Sequence, residues 1–191
     1  MKKIAVFASG AGSNAVNLVN YFSGKKIGEV ALLISNNPEA PVLEKMKALN
    51  IPTAVVAKEA FQDPSYMLPL LSEFDISFIV LAGFLKMIPP YLIQAFANRI
   101  VNIHPALLPK YGGKGMYGMH VHEAVVAAGE KKTGITIHFV NERYDEGKAI
   151  FQAICPVTDS DSPADVAHKI HELEQTHFPK VVEEVLKTIS D

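Results

Sequence analysis

Short apolar runs alternate along the chain with stretches in which apolar residues recur at helical spacing, a rhythm that predicts βαβ units on a mostly parallel sheet. Ile4 to Ala8 reads as a strand, Ala15 to Phe22 as a helix and Val30 to Ser35 as a second strand. A helix from about Val42 to Leu49, a short strand at Ala54 to Val56 and a helix around Tyr66 to Phe74 follow. The run Ile76-Ser77-Phe78-Ile79-Val80-Leu81-Ala82 is nearly all apolar, as expected of a parallel strand covered by helices on both faces. A helix near Tyr91 to Phe96 and a strand at Ile100 to Ile103 precede a change of pattern. Beyond it the spacing predicts a helix from His122 to Ala128, strands at Gly134 to Val140 and Ile150 to Val157, and a last helix from about Ala164 to Ile189. Ser162-Pro163 suits the cap and first position of that helix. The expectation is an α/β three-layer sandwich with a mostly parallel twisted sheet, forming one domain over residues 1–191.

The first strand runs into Ser9-Gly10-Ala11-Gly12-Ser13-Asn14 and then directly into a helix. Glycines let the backbone turn tightly, and the free N–H groups of a first helical turn make an anion site, with Ser13 or Asn14 placed to cap the helix. Gly10, Gly12 and Ala15 also satisfy a loose dinucleotide pattern, so the amino-terminal half reads as Rossmann-like and nucleotide-binding. The acid that would bond an adenosine ribose about 20 residues on is missing, because Ser35-Asn36-Asn37 stands there. That argues against NAD, and the absence of a following Lys argues against an ATP or GTP loop.

Asn102-Ile103-His104-Pro105 ends an apolar strand, and the period of two puts the Asn and His side chains on one face. Ligands of open α/β sheets bind beyond the carboxyl ends of strands, so both side chains address one ligand atom. Such a pair suits acyl chemistry, in which charge builds on a carbonyl oxygen and donors must already be aimed at it. A charged His104 needs a carboxylate beside it, and Asp145, in the turn Arg143-Tyr144-Asp145-Glu146-Gly147, is the candidate. Between these segments lies Tyr111-Gly112-Gly113-Lys114-Gly115-Met116-Tyr117-Gly118, read as a lid or binding loop.

With 18 Lys and Arg against 20 Asp and Glu, and no basic cluster, the chain lacks the field that nucleic-acid binding needs. No apolar segment reaches the roughly 20 residues that span a bilayer, and Ile4 to Ala8 is too short for an export signal, so a cytoplasmic protein with small-molecule substrates is expected. The single Cys155 sits in an apolar strand and reads as a buried small hydrophobe. His104 with His120 and His122 offers imidazoles for a metal, but without a metallohydrolase spacing, and no metal is expected.

Taken together, Gly12-Ser13-Asn14, Leu81-Ala82-Gly83-Phe84, the run from Asn102 through Pro109 (N-x-H-P-x-L-L-P) and the Asp145 turn closely resemble the phosphoribosylglycinamide formyltransferases, or glycinamide ribonucleotide transformylases, of the folate-dependent formyltransferase family. The resemblance covers essentially the whole chain. It implies the formyltransferase fold, 10-formyltetrahydrofolate as formyl donor, glycinamide ribonucleotide as acceptor, a place in purine biosynthesis, and a monomer or homodimer. Carried over, Gly12, Ser13 and Asn14 hold the ribonucleotide phosphate, Glu174 contacts the acceptor, and Asn102, His104 and Asp145 are the catalytic trio. The folate lies against Leu85, Lys86, Met87 and Ile88, against Asn102, and against Val140, Asn141, Glu142, Arg143, Tyr144 and Asp145. The chain departs from the family in a longer glycine-rich segment and in lacking an Arg near Pro64, and Lys86, at the basic position after Gly83-Phe84-Leu85, preserves the charge but not a bidentate fork. Two alternatives remain open: a formyltetrahydrofolate hydrolase, which in the family usually carries a further amino-terminal domain, and a non-catalytic nucleotide-binding sensor. A tRNA formyltransferase would need a further domain and a basic surface.

Overall fold

The computed structural model describes residues 1–189; positions 190 and 191 of the expected domain lie outside the described residues. Seven strands form one sheet in the order β3-β2-β1-β4-β5-β6-β7. In chain order they are β1 (Lys2–Phe7), β2 (Gly28–Ser35), β3 (Thr53–Val55), β4 (Ile76–Leu81), β5 (Ile100–His104), β6 (Lys132–Phe139) and β7 (Ala149–Pro156). The helices are α1 (Ser13–Phe22), α2 (Val42–Ala48), α3 (Lys58–Phe61), α4 (Pro64–Glu73), α5 (Pro90–Ala95), α6 (Met119–Ala127) and α7 (Pro163–Thr188). Pairings from β3 through β5 are parallel, whereas β5–β6 and β6–β7 are antiparallel.

The parallel half needs cover on both faces, and the sequence supplies it. In β1, Ile4 and Val6 point to one side, where they pack with Leu18 and Phe22 of α1, Val42 and Met46 of α2, Val125 of α6 and Phe178 of α7. Ala5 and Phe7 point to the other side, against Phe61 of α3, Met67 and Leu71 of α4 and Leu92 of α5. Each of the larger side chains, buried fully as Phe7, Phe22, Phe78 and Phe178 are, contributes about 1.5–3 kcal/mol. Truncating Phe178 to Ala would cost about 3–5 kcal/mol. Helix α3 is a single turn that the periodicity does not predict, and α6 starts earlier than expected, so that His122 lies inside the helix rather than opening it.

Helix α7 starts where the sequence indicates. Ser162 and Asp165 form a reciprocal capping box and Pro163 occupies the first turn. The helix also contains Pro179, which has no N–H for the carbonyl of Gln175, four residues back. Asn17 of α1 supplies the missing donor, its Nδ2 lying 2.9 Å from that carbonyl oxygen. The interrupted turn thereby fixes the middle of α7 to the first helix, beside the residues that matter below. Among the described residues no helix is long and apolar enough to cross a membrane.

Candidate active site

Strand β1 lies between β2 and β4, so the direction in which strands are added reverses there, which opens a crevice at the carboxyl ends of these strands. Gly12 turns the backbone there with φ +74°, and a Cβ at this position would overlap the side chain of Val42. Helix α1 begins at Ser13 without the side-chain cap expected from Ser13 or Asn14. Asn14 is used elsewhere: its Nδ2 donates to Glu174 Oε2 at 3.0 Å, and its Oδ1 accepts from Gln175 Nε2 at 3.1 Å. The N–H groups of the first turn are left for an anion. Ser9, which sequence reasoning passed over, ties this loop to the next one. Its Oγ accepts from the Leu85 N–H at 3.0 Å and donates to Asn36 Oδ1 at 2.5 Å.

Glu174 stands on α7 at the level of the Pro179 interruption, with only 15% of its side chain exposed. Burial pushes its carboxyl up to about 7, against the opposing hydrogen bond from Asn14. A carboxyl poised there is suited to meet an amine.

Asn102 and His104 share a face of β5 as the period of two requires, and the antiparallel register sets His138 of β6 opposite Asn102. Asn102 Nδ2 donates to His138 Nε2 at 3.1 Å, while His138 Nδ1 donates to the Phe139 carbonyl at 2.9 Å. Asp145 closes the group from the β6–β7 connection. Its Oδ2 lies 3.6 Å from His104 Nδ1, and its Oδ1 lies 3.6 Å from His138 Nε2. His138 carries no signal in the local sequence; it belongs to this cluster, and only the β5–β6 register reveals it.

The glycine-rich segment folds over the same group. Tyr111 and Asp145 both adopt left-handed backbone, with φ +56° and +55°, on either side of His104. The Tyr111 carbonyl accepts a hydrogen bond from His104 Nε2 at 2.7 Å, and the Gly113 N–H donates to Asp145 Oδ2 at 2.9 Å. A carbonyl only accepts, so Nε2 carries the ring proton.

The electrostatics correct one expectation. His104 is only 3% exposed, and burial holds its pKa below the ordinary histidine value even though Asp145 and the Tyr111 carbonyl pull it up. Asp145 therefore does not keep the free imidazole charged at neutral pH. Asp145 itself feels burial most, which raises its pKa, but its neighbours His138 and His104 and the Gly113 N–H outweigh it and hold the carboxyl below its usual range. It remains a carboxylate.

These groups line one cleft of about 700 Å³. Leu85, Lys86, Met87, Ile88, Val140, Asn141, Arg143 and Tyr144 line it as well, together with Lys114, Met116 and Tyr117 of the glycine-rich segment. Glu142 does not. The Asn141 side chain accepts from the Arg143 N–H at 2.9 Å, and this local turn leaves Glu142 exposed at its apex. His122 faces the cleft from α6, buried, with Nδ1 unpartnered and its pKa lowered by burial and then by His104. His120 is exposed and lies 3.5 Å from Glu123. Among the described residues no group of His, Cys, Asp or Glu is arranged to hold a metal ion. Cys155 is buried, and burial raises its thiol pKa.

Residues 2–182 match the formyl transferase family. The chain is 41% identical over 95% of its length to the chloroplastic phosphoribosylglycinamide formyltransferase of Arabidopsis thaliana, and spans 64% of that protein. It is 36% identical to the phosphoribosylglycinamide formyltransferase of Haemophilus influenzae, covering 95% of this chain and 86% of the other. The crystal structure of glycinamide ribonucleotide transformylase 1 from Geobacillus kaustophilus superposes with a TM-score of 0.88 at 34% identity, covering 97% of this chain and 99% of that one. A match over nearly all of the chain, in fold as well as sequence, places it in the formyl transferase family, to which this protein belongs.

Proposed function

We propose that the protein transfers the formyl group of 10-formyltetrahydrofolate to the amine of glycinamide ribonucleotide, a step of purine biosynthesis. The observation that carries this reading is the convergence of Asn102, His104 and Asp145 on the cleft that also holds the open turn of α1 and the half-neutral Glu174. The relatives named for this activity support it, the Haemophilus protein over most of its own length.

In this reading Gly12, Ser13 and Asn14 take the acceptor's phosphate on the first-turn N–H groups of α1, and Glu174 meets its amine. The donor's pterin fits between Leu85, Ile88 and Val140 and the backbone of 141–145, since the cleft there is apolar-walled with backbone groups at its rim. Lys86, Lys114 and Arg143 bring positive charge to that cleft for the carboxylates of the folate tail, in place of an Arg near Pro64.

The formyl donor supplies an activated carbonyl carbon, which the acceptor's amine attacks directly. One N–H of Asn102 is bonded to His138, and the amide's second N–H is left to donate to the formyl oxygen as charge develops there. His104 begins neutral. The proton shed by the amine passes to the His104–Asp145 pair, where the resulting imidazolium finds an acceptor at each nitrogen, the Tyr111 carbonyl and the Asp145 carboxylate, and it is handed on to the folate nitrogen as the bond from that nitrogen to the formyl carbon breaks and tetrahydrofolate leaves. No Ser or Cys nucleophile is required.

Purified protein supplied with both substrates should form formylglycinamide ribonucleotide and free tetrahydrofolate in equal amounts. Release of formate whether or not the acceptor is present would replace this reading with the hydrolase, and absence of any turnover would replace it with the sensor.

A further inference from the structure

The residue whose carbonyl meets the His104 imidazole is itself anchored by contacts that the reaction does not use. Tyr111 presents its carbonyl to His104 Nε2 at 2.7 Å while its own side chain runs away from the cleft. There its hydroxyl donates to Glu130 Oε1 at 2.9 Å, and the Nζ of the neighbouring Lys110 lies 2.7 Å from the same oxygen. Tyr111 stands at φ +56°, a left-handed conformation that costs a bulky L-residue energy and persists only where the surroundings fix it. The fixing contacts are visible: the ring packs against the core on the α7 side of the sheet, and the hydroxyl and Lys110 are pinned to Glu130, which follows α6.

We propose that Glu130, acting through Tyr111, is a positioning device for His104: it holds the Tyr111 carbonyl against Nε2 and so fixes the ring's tautomer and leaves Nδ1 as the proton acceptor beside Asp145. The catalytic part rests on the formyl-transfer reading; the tautomer part does not. A second-order contact of this kind belongs to a site whose chemistry depends on which imidazole nitrogen bears the proton. Around the ring the other titratable groups are Asp145 from the β6–β7 connection, His138 from β6 and His122 from α6. None of them faces Nε2 at hydrogen-bonding distance; Asp145, 3.6 Å from Nδ1, favours a proton there, and the closer Tyr111 carbonyl at 2.7 Å from Nε2 prevails.

The test uses the full-length protein with ¹⁵N-labelled histidine. In the wild type above its titration, His104 should give the ¹⁵N pattern of the Nε2–H tautomer. Tyr111→Phe and Glu130→Ala should each shift that pattern towards a mixture, and the double variant should add little to either, because both break one linkage. Glu130→Gln keeps an acceptor for the hydroxyl and should restore the wild-type pattern. In formyl transfer the two disruptive variants should lose roughly tenfold in kcat with KM little changed, below the ~100-fold that a 1 Å misplacement costs. An Nδ1–H tautomer in the wild type, or unchanged spectra in both variants, overturns the proposal. A wild type without formyl transfer but with the expected spectra overturns the functional reading and leaves the clamp standing, and a variant that lowers Tm with an unaltered tautomer shows Glu130 to be structural only.

Discussion

Asn102 and His138 face one another across the β5–β6 pair, and the 3.1 Å contact from Asn102 Nδ2 to His138 Nε2 holds the amide with one N–H committed and one free. The free N–H has a direction fixed before any substrate arrives, which is what makes a donor effective in stabilising developing charge. Asn102→Ala should therefore fold normally and lose on the order of 10²–10³ in kcat. Steady-state kinetics on the purified variant, with circular dichroism as the folding control, checks this; turnover within a few-fold of wild type would remove Asn102 from the mechanism.

Asp145→Asn removes the carboxylate that pulls the His104 pKa upward while leaving the burial that pushes it down. The His104 titration followed by NMR should move to lower pH, and kcat should fall because the imidazolium formed during transfer loses its partner. An unchanged His104 titration would mean that the 3.6 Å contact has no electrostatic weight.

Glu174 has a folded pKa of about 7, above its unfolded value near 4.5. The folded state thus holds this proton more tightly than the unfolded chain, so the contribution to stability is full below pH 4.5 and is lost as pH rises through 7. Glu174→Gln should match the wild type in stability near pH 4.5 and exceed it at pH 8, by an amount of order 1–3 kcal/mol. The same variant should bind the acceptor more weakly. Parallel thermal melts across that range decide the first point, and equal Tm differences at every pH would contradict it.

Gly12→Ala places a side chain at φ +74° and against Val42. It should destabilise the protein by roughly 1–3 kcal/mol and, by moving the first turn of α1, raise KM for the ribonucleotide much more than for the folate. A KM increase confined to the folate would relocate the phosphate site.

The parts of the fold that the sequence discloses are those written in local pattern. Strand β4 is legible because both faces are dry, and α7 because Ser162 and Pro163 mark its start. The one-turn helix α3 is too short to have a period. In the site, Asn102 and His104 announce themselves by alternation on one strand, but His138 becomes their neighbour only through an antiparallel register that no local pattern specifies. The charge state of His104 is hidden from the sequence for a related reason. A carboxylate nearby is visible in the sequence, whereas the desolvation that outweighs it comes from the burial of the ring in the folded chain. Asn14 was expected to cap its own helix and instead spends both halves of its amide on α7.

That last pairing has a bearing on the order of assembly during synthesis. Every strand of the sheet has been made by Pro156, yet the acid and the amide that brace the first loop come from Glu174 and Gln175. Until residues 163–188 have been made and packed as α7, the chain carries every strand but neither the full cover of its sheet nor a finished cradle for the proposed acceptor, so substrate capture awaits the docking of that helix.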